Sequence, residues 1–335
     1  MKEAKPHHGA GPSGRPLVVV TNRAHEEALA RLRRFAAVDA NEGDVPWTRE
    51  EALRRCSRAD GVLAFMTDHV DAAFLDACPR LSAIGCALKG ADNFDLDACR
   101  ARGVAVAVVP DLLTAPTAEL AVGLMIALGR HLLEGDRLVR SGGFAGWRPA
   151  LYGTGLDGAT VGIVGMGRVG RAVAGRLAGF GCRIIYSDAA VETPPAGAEP
   201  RPLPALLAEA DWVVLAAPLT PETLCMIDAA ALAAMRPGAM LVNCARGSLV
   251  DEAAVAAALA GGRLGGYAAD VFEMEDWARA DRPRAIEPGL IGHPRTVLTP
   301  HLGSAVGEVR RRIVLHAAGA LECFFAGRPM PGRVA

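Results

Sequence analysis

An arginine, a glutamate and a histidine occur in three short segments of the second half of the chain. Arg246, Glu275 and His301 each come soon after a predicted strand, where open α/β sheets bind their ligands. Arginine offers a forked donor for an oxyanion, histidine titrates near neutral pH, and a carboxylate on its second ring nitrogen fixes the tautomer. These residue types suit hydride transfer. A purely structural histidine–carboxylate pair is the alternative, but the Thr-Pro-His-x-Gly turn around His301 favours catalysis.

A glycine-rich turn lies between a predicted strand and a predicted helix. Gly165, Gly167 and Gly170 fit the spacing G-x-G-x-x-G, which allows a tight turn, close approach of a pyrophosphate and packing of the helix on the strand. The helix that begins near Arg168 directs its N–H groups and its dipole towards the phosphates. Asp188 ends the next strand, 18 residues after Gly170, where a carboxylate binds a ribose 2′-hydroxyl and repels a 2′-phosphate. The sequence therefore predicts a dinucleotide site that prefers NAD to NADP.

Lysine is rare in this chain. Only three of the 36 basic residues are lysines, namely Lys2, Lys5 and Lys89. Two of them belong to the N-terminal tail, so the remaining sequence uses arginine everywhere except at position 89. Because an ammonium is more compact and more strongly hydrated than a guanidinium, this exception indicates a site that needs lysine. Drift in an arginine-rich chain is the alternative, and composition alone does not separate the two.

The composition is that of a globular protein. The 335 residues are 51% hydrophobic and 22% charged, and this length predicts about two domains. With 36 basic and 37 acidic residues, the net charge of −1 gives no field that would favour nucleic acid or an anionic membrane. No apolar stretch reaches the roughly 20 residues of a membrane span.

The cysteines are scattered and no cluster has metal-ligand spacing, so we expect reduced thiols and no metal. Residues 1–14 lack the features of a secretory signal, which predicts a disordered tail on a cytoplasmic protein.

Short apolar runs alternate with helical patterns along most of the chain. This alternation is typical of parallel sheets with helices on their faces. We therefore predict an α/β protein with two Rossmann-like, doubly wound parallel-sheet domains. An NAD-binding domain of residues 113–304 is inserted in a substrate-binding domain of residues 15–112 plus 305–335. One long helix from Pro116 to Val139 is predicted to connect them, and a closing helix from about Ala305 to Ala326 is predicted to return to the first domain.

From Leu17 to about Arg328 the chain resembles the D-isomer-specific 2-hydroxyacid dehydrogenases, which carry Arg, Glu and His in this order. Three stretches look closer to one branch, the phosphonate (phosphite) dehydrogenases: ALKGADNFD at 87–95, VPDLLT at 109–114 and DVFEMEDWARADRPR at 270–284. Two departures from the broader family agree with that branch. Asp276 and Trp277 follow the glutamate where the family commonly has proline. Lys89 stands in the substrate-facing loop in place of a small or polar residue.

The resemblance implies a role for each matching position. Arg246 orients the anion, His301 is the acid/base group, and Glu275 rather than Glu273 is its partner. Lys89 binds a phosphite oxygen beside the backbone of its loop. Further residues that line or close the substrate site are Gly90, Met66, Trp147, Tyr152 and Ser304. The implied cofactor contacts, among which Asp270 meets the nicotinamide carboxamide, are Gly165, Gly167, Arg168, Val169, Gly170, Asp188, Ala216, Pro218, Cys244, Ala245, Asp270, His301 and Ser304.

The resemblance implies NAD-dependent oxidation of phosphite to phosphate by a homodimer. The predicted helix from Pro116 to Val139 is apolar on more than one face and suits a subunit interface. The nearest alternative is a D-2-hydroxyacid dehydrogenase that reduces glyoxylate, hydroxypyruvate or a similar 2-oxo acid with the same three residues. A formate dehydrogenase is disfavoured because its larger N-terminal extension is not evident. An alternative of another class is an NAD-sensing, corepressor-like binding protein, which the intact Arg, Glu and His set disfavours.

Overall fold

The structure, a computed structural model, describes residues 14–335. The chain divides into two compact units, one combining residues up to Leu112 with Val306–Ala335 and the other formed by Leu113–Ala305. Each unit is built on one sheet in which every strand pair is parallel. The predicted α/β fold class with two parallel sheets is thereby confirmed. The predicted tail lies outside the described residues, apart from Gly14.

The first unit contains a five-stranded sheet in the order β2-β1-β3-β4-β5. Its strands are β1 (Leu17–Val20), β2 (Ala37–Ala40), β3 (Gly61–Ala64), β4 (Ala83–Cys86) and β5 (Ala105–Ala107). The central strands are covered on both faces, which explains their unbroken apolar runs. The helices are α1 (Glu26–Arg33), α2 (Arg49–Cys56), α3 (Ala72–Ala77), α4 (Leu96–Arg102) and, from the end of the chain, α12 (Gly307–Phe325).

Side-chain caps and one close contact fix the helices of this unit. Thr48, Asp71 and Asp95 are the N-cap residues of α2, α3 and α4. The side chain of each accepts a hydrogen bond from the backbone N–H of the residue three positions later. Helix α12 lies so close to β4 that a Cβ at Gly85 would stand 2.6 Å from the carbonyl oxygen of Ala317. A glycine is therefore required where the closing helix crosses the sheet.

The second unit contains a seven-stranded sheet in the order β12-β11-β10-β9-β6-β7-β8. Its strands are β6 (Thr160–Val164), β7 (Arg183–Ser187), β8 (Ala198–Pro200), β9 (Trp212–Leu215), β10 (Met240–Asn243), β11 (Gly266–Ala269) and β12 (Thr296–Leu298). The order of the strands reverses between β6 and β9. A crevice opens at such a point beyond the carboxyl ends of the strands, and ligands of open α/β sheets bind there.

The predicted long helix from Pro116 to Val139 is wrong: two helices, α5 (Thr114–Gly129) and α6 (Leu132–Arg140), occupy this stretch. His131 between them has a φ of 51°, a left-handed conformation that ends a right-handed helix. The other helices are α7 (Arg168–Leu177), α8 (Leu203–Glu209), α9 (Ala229–Ala234), α10 (Glu252–Ala260) and α11 (Pro288–Ile291). Within residues 14–335, no helix is long and apolar enough to cross a membrane.

Candidate active site

The carboxyl ends of the strands in the second unit lie at one edge of the sheet, because all neighbouring strands are parallel. The segments that follow them carry most of the residues singled out in the sequence. The positions concerned are Gly165 after β6, Asp188 after β7, Ala216 and Pro218 after β9, Cys244, Ala245 and Arg246 after β10, Asp270 and Glu275 after β11, and His301 after β12. The fold thus places the predicted cofactor residues and the predicted reacting residues of this unit along the same edge.

The glycine-rich turn has the shape that a dinucleotide requires. Gly165 has a φ of 91°, and a Cβ there would stand 2.6 Å from the backbone nitrogen of Ala217. A Cβ at Gly170 would stand 2.1 Å from the carbonyl oxygen of Gly165, so helix α7 packs directly on the turn. A Cβ at Gly167 would meet open space, and no side chain caps the helix that follows. The first N–H groups of α7, at Arg168 and Val169, lie beside this glycine, and their contact with a pyrophosphate remains a prediction.

Asp188 lies against this turn. One of its carboxylate oxygens accepts the N–H of Met166 at 2.7 Å, and the other accepts the N–H of Ala190 at 2.9 Å. The carboxylate is therefore fixed beside the glycine-rich turn, at the end of the strand where a ribose-binding acid is expected. Its contact with a ribose remains a prediction.

Arg246 begins a tight turn after β10. Asn243 fixes this turn, because its side-chain amide donates to the carbonyl oxygen of Arg246 at 2.8 Å and accepts the N–H of Ala245 at 3.1 Å. The guanidinium of Arg246 is half-buried and donates to the carbonyl oxygen of Ala245 at 2.8 Å. Cys244, one residue earlier, is buried, and this burial raises the pKa of its thiol well above the ordinary value. An unreactive thiol is expected at this place.

His301 and Glu275 form a close pair. The Nδ1 atom of His301 lies 2.6 Å from one carboxylate oxygen of Glu275, whose other oxygen accepts the N–H of Phe272 at 2.9 Å. His301 has a φ of 56°, a strained conformation for a residue with a Cβ. Because the carboxylate engages Nδ1, the Nε2 atom is the ring nitrogen that is left to exchange a proton with a substrate. Glu273, the other candidate partner, instead lies 3.4 Å from Arg279.

Asp270 holds the turn that carries His301, a role that the sequence did not indicate. Its buried carboxylate accepts hydrogen bonds from the Thr299 hydroxyl at 2.6 Å, from the N–H of Leu302 at 2.6 Å and from the N–H of Gly303 at 2.7 Å. Burial raises the pKa of Asp270, and these hydrogen bonds oppose the increase. In the sequence, Asp270 is singled out by its position after a predicted strand and by the resemblance, and neither of these indicates this role. Its predicted contact with a nicotinamide remains a prediction.

The first unit has its own set of site candidates at the carboxyl edge of its sheet. Met66 follows β3, and Lys89 and Gly90 follow β4. The side chain of Asn93 donates to the carbonyl oxygen of Met66 at 3.0 Å and so joins the two loops. The ammonium of Lys89 lies 3.5 Å from a carboxylate oxygen of Asp111. The structure therefore brings together the three candidates of this unit.

Three further candidates belong to the second unit. Trp147 and Tyr152 are 84% and 77% exposed, and Ser304 is buried. Their predicted contacts with substrate or cofactor remain predictions. Among the described residues, no group of three or more His, Cys, Asp and Glu side chains could hold a metal ion.

Comparison with known proteins identifies the family. Residues 122–303 match the NAD-binding domain of the D-isomer specific 2-hydroxyacid dehydrogenases. The chain is 37% identical over 326 residues to a glyoxylate reductase of Thermococcus onnurineus, covering 95% of both chains. The chain belongs to the D-isomer specific 2-hydroxyacid dehydrogenase family. A glyoxylate reductase of Pyrococcus furiosus is also 37% identical, over 329 residues that cover 95% of this chain and 94% of the relative.

Solved structures agree with this assignment. The TT0316 protein of Thermus thermophilus superposes on this dehydrogenase with a TM-score of 0.87 and 38% identity, over 95% of this chain and all of that one. A glyoxylate/hydroxypyruvate reductase of Sinorhizobium meliloti, solved with NADP and malonate, has a TM-score of 0.81 and 29% identity, over 96% of this chain and 97% of that one. The protein is accordingly an NAD-dependent oxidoreductase.

The residues of this dehydrogenase fit its cofactor. Backbone N–H groups at Arg168 and Val169 would hold the pyrophosphate, because α7 has no side-chain cap and Gly167 leaves the approach open. Asp188 would bind the adenine-side ribose, since its carboxylate is fixed beside the same turn. NAD supplies the hydride acceptor or donor when it is bound. The remaining chemistry, which is anion binding and proton transfer, belongs to the side chains of the protein.

Proposed function

We propose that this dehydrogenase oxidises phosphite to phosphate with NAD⁺. In the overall reaction phosphite, NAD⁺ and water give phosphate, NADH and a proton. The bond between phosphorus and hydrogen breaks, the hydrogen leaves with its electron pair, and a water oxygen forms the new bond to phosphorus. The observation that carries the proposal is Lys89, the one lysine among the described residues, which follows β4 at the carboxyl edge of the first sheet.

Lys89 is suited to bind a compact oxyanion. Its side chain is 35% exposed, and its partner Asp111 is 50% exposed, so a small anion can take the place of that carboxylate at the ammonium. A compact ammonium matches a small, strongly hydrated oxyanion. The neighbouring Gly90 and the other residues of the loop add backbone N–H groups to the same region.

The reacting residues of the second unit supply the rest of the proposed mechanism. Arg246 binds an oxygen of the anion and offsets its charge, as a preorganised cation does most effectively when partly buried. His301 accepts the proton that water loses as its oxygen bonds to phosphorus. Glu275, hydrogen-bonded to Nδ1 of the ring, stabilises the imidazolium that results. Exclusion of bulk water remains necessary, because phosphite must react with one positioned water while its hydride passes to NAD⁺.

Glyoxylate reduction is the second candidate. The relatives at 37% identity are named glyoxylate reductases. Glyoxylate, NADH and a proton would give glycolate and NAD⁺, with Arg246 on the carboxylate and His301 donating the proton to the carbonyl oxygen. The same three residues therefore serve either reaction, and the loop with Lys89 separates the two candidates.

The test is a substrate panel with the purified protein. NAD⁺ with phosphite is followed for NADH and phosphate, NADH with glyoxylate for NAD⁺, and NAD⁺ without substrate for binding. Equal amounts of NADH and phosphate support the proposal. Turnover of glyoxylate without turnover of phosphite overturns it in favour of the second candidate. Tight binding of NAD⁺ without either turnover indicates the corepressor-like alternative.

We further propose a division of labour and a dimer. The unit of residues up to 112 with 306–335 binds the substrate, and the unit of residues 113–305 binds NAD.

Helix α6 has no buried residue in the single chain, and large apolar side chains are exposed on it and after it, namely Leu132, Leu133, Val139 and Phe144. Such an apolar surface is typical of a subunit contact and supports a homodimer. Sedimentation of the purified protein tests the dimer, and a monomer at micromolar concentration contradicts it.

A further inference from the structure

We propose that Asp276 is a positioning residue that joins the turn of Arg246 to the pair of Glu275 and His301, with Arg279 as its helper. Asp276 stands directly after Glu275. The inference rests on the catalytic roles proposed above for Arg246, Glu275 and His301, and it is independent of whether phosphite or glyoxylate is the substrate.

The contact that carries this inference is centred on Ser248. A carboxylate oxygen of Asp276 accepts the N–H of Ser248 at 2.7 Å, and the guanidinium of Arg279 donates to the Ser248 hydroxyl at 2.7 Å. Ser248 is fully buried, and Asp276 is 4% exposed. A hydrogen bond from a buried amide to a carboxylate is among the stronger hydrogen bonds in proteins, because the acceptor is charged and water does not compete.

This contact links two loops that come from different strands. Ser248 is two residues after Arg246 in the loop after β10, and Asp276 is one residue after Glu275 in the loop after β11. The loops also meet at Gly247, where a Cβ would stand 1.8 Å from the carbonyl carbon of Phe272. Because both ends of the contact lie so near the reacting side chains, a shift of one loop moves Arg246 relative to Glu275.

A second anchor fixes the other side of the same segment. The buried carboxylate of Glu252 accepts the N–H of Glu273 at 2.8 Å and the N–H of Glu287 at 3.2 Å. The guanidinium of Arg282 stacks 4.4 Å above the ring of Trp277. The segment is therefore held at its start and at its end, and Asp276 is the side chain between them that holds it against the turn of Arg246.

Three variants test the inference. Asp276→Ala removes the acceptor, Asp276→Asn keeps an acceptor oxygen without the charge, and Asp281→Ala removes an exposed partner of Arg279 on the same segment without touching Ser248. We expect kcat of Asp276→Ala to fall about tenfold or more, as misplacement of reacting groups by a fraction of an ångström does. We expect Asp276→Asn to recover most of this loss and Asp281→Ala to match the unmodified enzyme. NAD affinity should be unchanged in all three, and Tm should fall only in Asp276→Ala, where the buried N–H of Ser248 loses its acceptor.

Several outcomes would overturn the inference. If Asp276→Ala and Asp281→Ala have the same kcat, Asp276 has no positioning role. Equal losses of kcat and Tm in Asp276→Ala and Asp276→Asn point to packing instead of positioning. If Asp276→Ala fails to fold, Arg279→Met replaces it, with an expected fall in kcat of about threefold at unchanged NAD affinity; unchanged kcat in Arg279→Met contradicts the inference. Full activity of His301→Asn would instead refute the proposed catalytic roles.

Discussion

The carboxyl edges of the two sheets differ in how firmly their functional side chains are held. In the second unit, Asp270 accepts three hydrogen bonds from the turn that carries His301, and Glu275 is bonded both to His301 and to the backbone of Phe272. In the first unit, Lys89 has a 3.5 Å ion pair with a half-exposed Asp111. The proposed reacting residues are held by several hydrogen bonds, whereas the proposed substrate-binding lysine forms a long, partly exposed ion pair. We call the carboxyl edge of the second sheet the rigid edge and that of the first sheet the adjustable edge.

This difference has a consequence for specificity. Preorganised hydrogen bonds in a partly buried site stabilise developing charge most effectively, so the second unit gains from rigidity. An exposed ion pair contributes roughly 0 to 1 kcal/mol, so exchanging its carboxylate for a substrate anion costs little. On the proposed role of Lys89, a change in its loop alters the preferred substrate while the reacting residues of the second unit stay the same.

The largest effect is expected at the rigid edge. His301→Asn removes the acid/base group, and we expect kcat to fall by roughly a hundredfold to ten-thousandfold, the usual contribution of a positioned proton-transfer residue. Steady-state kinetics with the accepted substrate measure this fall. His25→Asn is the matched control, because His25 is an exposed helix cap and asparagine caps helices well. If His301→Asn kept half of the activity, the site described here would not be the reacting site.

At the adjustable edge, a substitution of Lys89 should change KM for phosphite. Lys89→Ala removes a charged hydrogen-bond donor worth roughly 1.5 to 3 kcal/mol, so we expect KM for phosphite to rise by about tenfold to a hundredfold. The effect on kcat should be smaller. Asp111→Asn is the informative partner, because it removes the competing carboxylate and should lower KM or leave it unchanged. An unchanged KM in Lys89→Ala would end the role of this lysine in substrate binding.

Local patterns were enough to predict much of this architecture. The alternation of apolar runs and helical stretches predicted two parallel sheets, and the spacing of Gly165, Gly167 and Gly170 predicted the turn that the structure forms. Glu275 was favoured over Glu273 as the partner of His301 by resemblance alone, and the structure places Glu275 at 2.6 Å. These features depend on residues that are close in the sequence or on a motif.

Features that no pattern in the sequence marks were missed. The break between α5 and α6 lies at His131, which has a left-handed conformation and whose Nδ1 atom lies 2.7 Å from a carboxylate oxygen of Glu134. The edge strands β2 and β8 are short and not fully buried, so no apolar run marks them. The hydrogen bonds of Asp270 and of Asp276 join loops that only the fold brings together, and no spacing in the sequence indicates them.

A smaller effect is expected at Asp188, the predicted cofactor-binding acid at the rigid edge. Asp188→Ala removes the acceptor for the ribose and also the hydrogen bond to Met166, and we expect KM for NAD⁺ to rise by about tenfold. KM for NADP⁺ should change less, because the lost carboxylate repels a 2′-phosphate. Kinetics with both cofactors measure the ratio. Glu192→Ala, a change of an acidic residue four positions on, is the control; an equal loss for NAD⁺ and NADP⁺ would show that Asp188 only supports the turn.

An effect on stability, in place of catalysis, is expected at Asp68, a firmly held residue at the carboxyl edge of the first sheet. Asp68, in the loop with Met66, accepts hydrogen bonds from the Thr21 hydroxyl and from the N–H of Phe65 through one oxygen, and burial raises its pKa to about 6. An acid whose pKa is higher in the folded chain than in the unfolded chain loses stabilisation as pH rises through that interval.

Wild-type stability should therefore fall, relative to Asp68→Asn, as pH rises from about 4 to about 6, and the difference should be constant above that range. The change amounts to about 1 to 3 kcal/mol. Thermal unfolding of both proteins at pH 4.5 and pH 7.5 measures it, and all other titrations cancel in the comparison. Asp97→Asn is the control, because the Asp97 side chain is 95% exposed. A pH-independent difference between wild type and Asp68→Asn would mean that the pKa of Asp68 is the same in the folded and the unfolded chain, which contradicts the effect of burial described here.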